Sequence, residues 1–224
     1  NSLNQLTAKA DSVGVERYSY DKRGNLSAIT LEGAIKSTYF YGAINRLEQA
    51  TNAKGEIAKY LYDGLGNRVG KQMGTAPADA PLLPEQVVPS PVDFHPERSI
   101  DYVVDLTREY DNLLTKSDDG VSNNYAFDMR LLFKDEKVFL TDGITSPIEG
   151  IGVKGNVFAH AAYDEFGLEN EGCVDDDFAY IGYQKDDVSK TYFAQAREYD
   201  CTTGRFIGRD VFRGFQEYPI SLNE

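Results

Sequence analysis

The sequence is poor in the residues that most often build catalytic and metal sites. Among 224 residues there are no tryptophans, two cysteines, two histidines and two methionines. Cys173 and Cys201 belong to no Cys-x-x-Cys pair, and His95 and His160 lack the spacing of metal ligands. No phosphate-cradling glycine loop or nucleophile motif is present. We therefore expect no metal and no cofactor. Spacing alone leaves a disulfide between the two cysteines open, but unpaired buried thiols are the favoured prediction.

Positive charge is also scarce, since 23 Lys and Arg residues face 36 Asp and Glu residues and the net charge is −13. Such a balance argues against nucleic-acid binding, which depends on neutralising phosphates, and against docking on an anionic membrane. No apolar run is long enough to span a membrane, and the sequence carries no targeting signal. The acidic clusters 175–177 and 186–187 lack the spacing of a calcium loop, so we interpret them as solvated turns.

The main positive feature is a repeat. Tyr18-Ser19-Tyr20-Asp21-Lys22-Arg23-Gly24-Asn25-Leu26 returns in weaker form at 39–47 and in full at 60–69. Both tyrosine positions recur every 21 residues, and a further intact Tyr-Asp-x-x-Gly lies at 163–167. A fixed period of this size is typical of repeat architectures. The repeat residues are Tyr18, Tyr20, Asp21, Gly24, Tyr39, Tyr41, Tyr60, Tyr62, Asp63, Gly66, Tyr163, Asp164 and Gly167.

Each unit reads as strand, turn, strand, turn. Tyr-x-Tyr places two rings on one face of a strand, and Asp-x-x-Gly is a turn in which the Asp accepts an N–H two residues on. A lone hairpin is marginal in water, so neighbouring units must stack to bury the tyrosines. The sequence therefore predicts an all-β fold with little helix, a curved antiparallel sheet of stacked hairpins.

The remaining chain divides by composition. Residues 1–73 carry the clean repeats, and 74–99 is an insertion that holds six of the eight prolines, which we interpret as a surface loop. Residues 100–178 carry eroded repeats, including one at 125–132. The stretch Tyr192–Tyr199 alternates and predicts a single strand.

The repeat resembles the YD repeat of the rearrangement-hotspot (RHS) family, which includes bacterial polymorphic toxins and the C component of insecticidal toxin complexes. The match is most specific at 180–210, which resembles the RHS repeat-associated core motif, so 179–224 is assigned to a truncated copy of that motif. The matching residues are Arg197, Tyr199, Asp200, Gly204, Arg205 and Phe206. Cys201 stands where the family usually has proline, and we expect the turn to survive because Asp200 and Gly204 remain.

The resemblance implies an open fragment of a cocoon-like shell that encloses a C-terminal toxin or effector. By position, Arg209 and Asp210 look like the Arg and the first Asp of the intramolecular aspartyl protease that releases this cargo. An aspartyl dyad needs two carboxyl groups, and the second would lie beyond this sequence. We therefore expect this chain to be catalytically inactive, with Asp210 in a surface ion pair or a turn.

The function favoured by the sequence is structural encapsulation of the protein's own C-terminal toxin or effector domain. Two alternatives stay open: a surface module that binds carbohydrate or protein through exposed tyrosines, and a part of the autoprotease. The resemblance implies a secreted or cell-surface location for the full-length protein. The two open edges of the sheet suggest an edge-to-edge dimer.

Overall fold

The computed structural model describes residues 5–77, 90–107 and 112–210, and these form two antiparallel sheets. The large sheet has fifteen strands in sequential order. Its first eight strands are β1 Ala8–Ala10, β2 Val15–Tyr20, β3 Leu26–Leu31, β4 Ala34–Tyr41, β5 Leu47–Asn52, β6 Glu56–Tyr62, β7 Arg68–Thr75 and β8 Arg98–Asp105. The other seven are β9 Asn112–Asp118, β10 Val121–Phe127, β11 Leu131–Lys134, β12 Lys137–Thr141, β13 Pro147–Ile151, β14 Val157–Tyr163 and β15 Glu169–Gly172.

The small sheet is built by the C-terminal part of the chain. Its four strands are β16 Gln184–Lys185, β17 Tyr192–Ala194, β18 Arg197–Asp200 and β19 Arg205–Phe206, preceded by a 3₁₀ turn at Tyr180–Gly182. No helix in the described part of the chain is long and apolar enough to cross a membrane. The predicted all-β class, an open antiparallel sheet with little helix, is confirmed.

The large sheet bends at the same place in successive units. The pairing register shifts just before the second aromatic residue of the unit, at Tyr20, Tyr41, Tyr62 and Tyr163. A β-bulge adds local twist and bends the strand that carries it. Repetition of the bulge therefore gives the sheet its curvature, which a uniform ladder would not supply.

The turns that follow share one hydrogen-bond pattern. Asp63 Oδ1 accepts the backbone N–H groups of Leu65 and Asn67, both at 2.9 Å, and its Oδ2 accepts Asn67 Nδ2 at 2.8 Å. Asp21 makes the same three bonds in the first unit. Gly66 closes the turn with a φ of 88°, a conformation that glycine adopts without strain.

The repeat tyrosines lie together on one side of the large sheet, which we call the tyrosine face. Tyr18, Tyr39 and Tyr60 are buried there. The second tyrosine of a unit ties it to the preceding one, because Tyr62 donates to Leu47 O at 2.8 Å and Tyr163 to Pro147 O at 3.0 Å. These bonds satisfy a phenol hydroxyl inside an aromatic layer, which would otherwise be costly.

The C-terminal segment, defined here as residues 174–210, packs on the tyrosine face. Val188 and Ile207 join the apolar cluster formed by β2–β6, and Val174 and Phe178 join a second cluster formed by β9–β14. The core of the protein therefore lies between the large sheet and this segment rather than between two repeat sheets.

Two details of the fold differ from the sequence interpretation. The stretch Tyr192–Tyr199 forms the hairpin β17–β18 rather than a single strand, so that prediction is wrong. Gln195 has a φ of 58°, and Ala196 N–H donates to Ala194 O at 2.6 Å, which reverses the chain within two residues. Helix-forming and alternating residues at 192–199 gave no turn signal to reveal it.

The proline-rich insertion was assigned to 74–99, and the flanking strands run into it at both ends, since β7 continues to Thr75 and β8 begins at Arg98. The middle of the insertion, 78–89, lies outside the described residues. Its second half packs on the face opposite the tyrosines, where the Gln49 side-chain amide accepts Val92 N–H at 2.7 Å and donates to Val92 O at 2.8 Å. The side-chain amide of the buried Gln49 thereby makes the two hydrogen bonds that the backbone of a neighbouring strand would otherwise make with Val92.

Two tyrosine-to-phenylalanine changes test the role of the inter-unit hydrogen bonds. Within the described residues, the buried Tyr41 hydroxyl has no hydrogen-bond partner, so Tyr41→Phe should leave the free energy of unfolding unchanged or raise it. Tyr62→Phe removes the hydrogen bond to Leu47 O and the one from Arg68 at 3.0 Å. This change should lower the free energy of unfolding by about 1–2 kcal/mol. Urea unfolding of both variants measures the difference. Equal effects would contradict a stabilising role of the hydrogen bonds between units.

Candidate functional site

The most chemically distinctive part of the molecule is the contact between the tyrosine face and the C-terminal segment. Four cations lie on the tyrosine face, and four carboxylates of the C-terminal segment pair with them. The cations are Arg68, Lys71, Lys116 and Lys134; the carboxylates are Asp175, Asp177, Asp186 and Glu198. We call this set the buried ion-pair array.

The β-bulge of β7 puts two of the cations on the tyrosine face. Lys71 lies opposite Tyr60 and Arg68 lies opposite Tyr62 across the β6–β7 pair. In a regular strand, residues three apart point to opposite faces, but the register shift at Tyr62 brings both side chains to one face. The bulge that curves the sheet therefore also delivers the charged groups.

Arg68 is held on both faces and on one edge of its guanidinium group. The guanidinium carbon lies 4.2 Å from the Tyr60 ring centre and 3.7 Å from that of Phe193, which is contributed by the C-terminal segment. Its Nη2 forms an ion pair with Glu198, and both side chains are almost fully buried. Burial works to lower the pKa of Arg68, but Glu198, with smaller contributions from Tyr62 and Tyr60, outweighs it and raises that pKa well above its usual value.

Lys71 and Asp186 form the second pair. Lys71 Nζ lies 2.9 Å from Asp186 Oδ2, and Asp186 Oδ1 accepts the backbone N–H groups of Val188 and Ser189 at 3.0 and 2.8 Å. Burial works to raise the pKa of Asp186, but the charges of Lys71 and Arg68 and the hydrogen bonds from Lys71 and Ser189 together outweigh it, and the pKa falls below its usual value. One carboxylate thus shapes its own loop and anchors that loop to β7.

The remaining cations converge on Asp177. Lys134 Nζ lies 2.8 Å from Asp175 and 2.5 Å from Asp177, while Lys116 Nζ and the Tyr125 hydroxyl bond Asp177 at 2.5 and 2.7 Å. Burial works to raise the pKa of Asp177, but hydrogen bonds from Lys116, Lys134 and Tyr125 lower it to about 2. Asp177 is therefore ionised at neutral pH.

The interpretation of both acidic clusters as solvated turns is wrong for three of their members. Asp175, Asp177 and Asp186 are buried, whereas their neighbours Asp176 and Asp187 are exposed. The local sequence looks solvated because the partners that make burial tolerable come from distant strands. Within the ranges 5–77, 90–107 and 112–210, no group of three or more His, Cys, Asp or Glu side chains is placed to hold a metal ion.

The residues matched to the core motif form the last hairpin of the C-terminal segment. The Asp200 carboxylate accepts Thr202 N–H at 2.9 Å and the hydroxyls of Thr202 and Thr203 at 2.7 and 2.8 Å. Gly204 follows with a φ of 66°, so the turn forms with Cys201 in the place of proline. The flanking residues lie in β18, which holds Arg197 and Tyr199, and in β19, which is Arg205–Phe206.

Arg209 and Asp210 lie where the C-terminal segment meets the first two repeat turns. Arg209 N–H donates to Asn25 Oδ1 at 2.8 Å, and Arg209 O accepts Asn45 Nδ2 at 2.9 Å. Asp210 Oδ2 lies 3.1 Å from Arg197 Nη2, and both side chains are half-buried. The Arg197 guanidinium also stacks on Phe206 at 3.9 Å. The carboxyl group is thus oriented by a residue of the same segment.

Both cysteines are free thiols, and the expectation that they are buried is wrong for Cys173, which is exposed, and met only in part by Cys201. Lys185 Nζ lies 3.3 Å from Cys173 Sγ and also pairs with Glu169. Cys201 is half-buried, and burial raises its pKa to about 11. A thiol with that pKa is protonated at neutral pH, which makes it a poor nucleophile.

None of the four cations of the ion-pair array was singled out from the sequence. A usable signal existed, because Arg68 lies in the second intact repeat and Lys71 just after it, and they are the two charged residues of a strand that holds mostly small and apolar residues. A cation in such a strand needs a carboxylate partner if the strand is covered. The sequence gives no indication of which carboxylate that is.

The fold and the ion-pair array together define a class of protein: an all-β repeat wall whose own C-terminal segment is bound to its aromatic face. No family model matches the chain. The whole chain is 40% identical, over 240 aligned residues, to the tRNA3(Ser)-specific nuclease WapA of Bacillus spizizenii. It is 42% identical over 237 residues to the tRNA nuclease WapA of Bacillus subtilis strain 168. The chain spans 9% of the length of each of these relatives.

Solved structures support the fold. The crystal structure of TcdB2-TccC3-Cdc42 matches 93% of this chain with a TM-score of 0.53 and 12% identity, and that of TcdB2-TccC3 matches 94% with a TM-score of 0.53 and 13% identity. The match covers 12% and 13% of those chains. The protein therefore has the fold of a region of these much larger toxin-complex chains, which agrees with the repeat architecture predicted from the tyrosines.

A single and a double variant of the Lys71–Asp186 pair test whether the ion-pair array holds the C-terminal segment. Lys71→Met leaves Asp186 buried without its cation and should lower the free energy of unfolding by about 3–5 kcal/mol. Lys71→Met combined with Asp186→Asn removes the orphaned charge, so the double variant should be more stable than the single one. Urea unfolding gives all values, and Lys59→Met, an exposed change on β6, is the matched control. If Lys71→Met were as stable as this control, the ion-pair array would not hold the C-terminal segment.

Proposed function

We propose that this chain is the C-terminal part of an RHS/YD-repeat shell and that it encloses a toxin or effector that follows it in a longer polypeptide. In this proposal the tyrosine face is the inner face of the shell. The C-terminal segment closes that face, and the polypeptide continues past Glu224 into the enclosed cargo.

The observation that carries the proposal is the attachment of the C-terminal segment by buried ion pairs. A segment bound through Arg68–Glu198 and Lys71–Asp186 is fixed to the wall at a defined position, so in this proposal the polypeptide that follows it starts from the tyrosine face. The relatives are named as tRNA nucleases, which supports a toxin-related role. The chain spans only 9% of their length, which agrees with a part of a longer polypeptide. The location of the longer protein, secreted or at the cell surface, belongs to the same proposal.

In this account the chain as given is a structural module without catalytic activity. The second candidate is that it supplies one half of an aspartyl autoprotease, with Asp210 as one carboxyl group and Arg209 beside it. The pairing of Asp210 with Arg197 favours this reading, because it holds the carboxyl group in a set orientation at the end of the C-terminal segment. A second carboxyl group would come from the following polypeptide.

Binding of carbohydrate or protein by the repeat tyrosines finds less support. Tyr18, Tyr39 and Tyr60 are buried beneath the C-terminal segment and offer no ring to a glycan. A surface module of this kind would therefore need other residues, so it remains the weakest of the three candidates.

Protease protection in a polypeptide that continues past Glu224 tests encapsulation. The region after the C-terminal segment should resist trypsin when the segment is bound, and should be cleaved at least about ten times faster in a Lys71→Glu/Lys134→Glu variant, in which repulsion opposes binding of the segment. The exposed change Lys59→Glu is the control. Cleavage of the unaltered polypeptide at the rate of the isolated cargo would refute encapsulation.

The same polypeptide tests the autoprotease candidate. Self-cleavage that is lost in Asp210→Asn, while trypsin resistance is kept, would support it. The absence of self-cleavage in the unaltered polypeptide would remove it and leave the encapsulation result standing by itself.

A further inference from the structure

The turn between β4 and β5 departs from the repeat at two positions. In the intact turns an aspartate opens the turn and a glycine closes it, as Asp63 and Gly66 do between β6 and β7. Gly42 and Asn45 hold these two positions in the β4–β5 turn, where Asn45 N–H donates to Gly42 O at 3.1 Å. Asn45 keeps the left-handed backbone of the glycine, with a φ of 60°, which asparagine tolerates better than most residues. This turn therefore carries a polar side chain where the intact turns have none.

The Asn45 side chain reaches the end of the C-terminal segment together with Asn25 of the β2–β3 turn. Asn45 Nδ2 donates to Arg209 O at 2.9 Å, and Asn25 Oδ1 accepts Arg209 N–H at 2.8 Å. The two asparagines also bond each other, since Asn25 Nδ2 donates to Asn45 Oδ1 at 2.8 Å. Both backbone polar groups of Arg209 are thus bound by side chains of the large sheet. We call Asn25 and Asn45 the asparagine clamp.

The bond from Arg209 to Asn25 is additional to what the turn requires. Asn67 is the equivalent of Asn25 in the β6–β7 turn, and its Nδ2 donates to Asp63 Oδ2 at 2.8 Å. Asn25 Nδ2 makes the same bond to Asp21 Oδ2 at 2.9 Å. The described residues give the Asn67 side-chain oxygen no hydrogen-bond partner. The turn therefore uses the amide nitrogen of this asparagine, and the oxygen can bind another part of the chain.

The residues before Arg209 lie against the same part of the sheet. Leu26 N–H, at the start of β3, donates to Ile207 O at 2.8 Å. Gly208 lies on the ring of Tyr41, where a Cβ atom would come within 3.2 Å of Tyr41 Cε1. The segment is therefore held to the sheet at each residue from Ile207 to Arg209, and a larger residue at 208 would press on the Tyr41 ring.

The clamp acts on two successive peptide groups. Each peptide group is planar, so the bond at Arg209 N–H fixes the plane before the Arg209 Cα atom and the bond at Arg209 O fixes the plane after it. The second plane includes the Cα atom of Asp210. Arg197 then pairs with the Asp210 carboxylate at 3.1 Å. A reacting group is effective only when it is held close to its productive position, and such support comes from residues around it.

We propose that Asn25 and Asn45 are positioning residues. Through the peptide groups of Arg209 they set the place of the Asp210 carboxyl group and the point at which the polypeptide leaves the wall. The inference rests on the proposed function, because that place has a chemical use only in a polypeptide that continues past Glu224. Asparagine in place of glycine in the β4–β5 turn is then a specific feature of the wall rather than an erosion of the repeat.

Hydrogen exchange of the full chain, followed by nuclear magnetic resonance, tests the clamp with a matched pair of variants. Asn25→Ala and Asn67→Ala each remove the bond to the aspartate of their own turn, and Asn25→Ala also removes the acceptor for Arg209 N–H. We expect the Arg209 amide to exchange at least about ten times faster in Asn25→Ala and at an unchanged rate in Asn67→Ala. Thermal midpoints check that both variants remain folded.

Asn45→Gly tests the link to Asp210. This change restores the residue of the intact turns and removes the donor to Arg209 O. We expect an unchanged thermal midpoint and faster exchange of the Arg197 guanidinium protons, approaching the rate in Asp210→Asn, in which the ion pair is lost. In the longer polypeptide that cuts itself, Asn45→Gly should slow self-cleavage at least about tenfold while trypsin resistance is kept.

Three results would overturn the inference. They are equal exchange of the Arg209 amide in Asn25→Ala and Asn67→Ala, unchanged exchange of Arg197 in Asn45→Gly, and self-cleavage of that variant at the rate of the unaltered polypeptide. If the unaltered polypeptide does not cut itself, the autoprotease candidate fails separately, and the exchange rates of Arg209 and Arg197 still decide whether the clamp positions Asp210.

Discussion

Each buried cation on the tyrosine face depends on a carboxylate that the chain supplies much later. Lys71 and Asp186 are separated by 115 residues, and Arg68 and Glu198 by 130. A lysine or arginine buried without a partner would cost several kcal/mol, so the segment that covers these cations also has to supply their carboxylates. The rest of the structure follows from that dependence, because the core also lies between these two parts.

The repeat supplies the geometry that the ion pairs require. Its Asp-centred turns set the length of each hairpin, and the bulge before the second tyrosine brings Arg68 and Lys71 to the face that carries Tyr60 and Tyr62. The same bulge curves the sheet. A single local irregularity, repeated along the chain, therefore accounts both for the shape of the wall and for the chemistry of its covered face.

The sequence was sufficient to predict what is local and periodic. Tyrosine spacing and the Asp-x-x-Gly turns predicted the hairpins, their antiparallel order and the all-β class. It was not sufficient for contacts between distant residues: the local sequence around Asp177 looked solvated, although this residue is buried and paired with Lys116 and Lys134. The turn at Gln195 escaped notice because neither glycine nor proline marks it. The roles suggested for Arg209 and Asp210 rest on resemblance, and they stay predictions.

The central claim is that the C-terminal segment lies on the tyrosine face of the wall. Tyr39 and Val188 share one buried cluster, and the Tyr39 hydroxyl donates to Ser189 O at 3.2 Å. Nuclear Overhauser effects between the Tyr39 ring and the residues Val188 and Ser189 test this contact directly in the full chain. The account predicts that they are present under native conditions; their absence, with the repeat hairpins still folded, would contradict it.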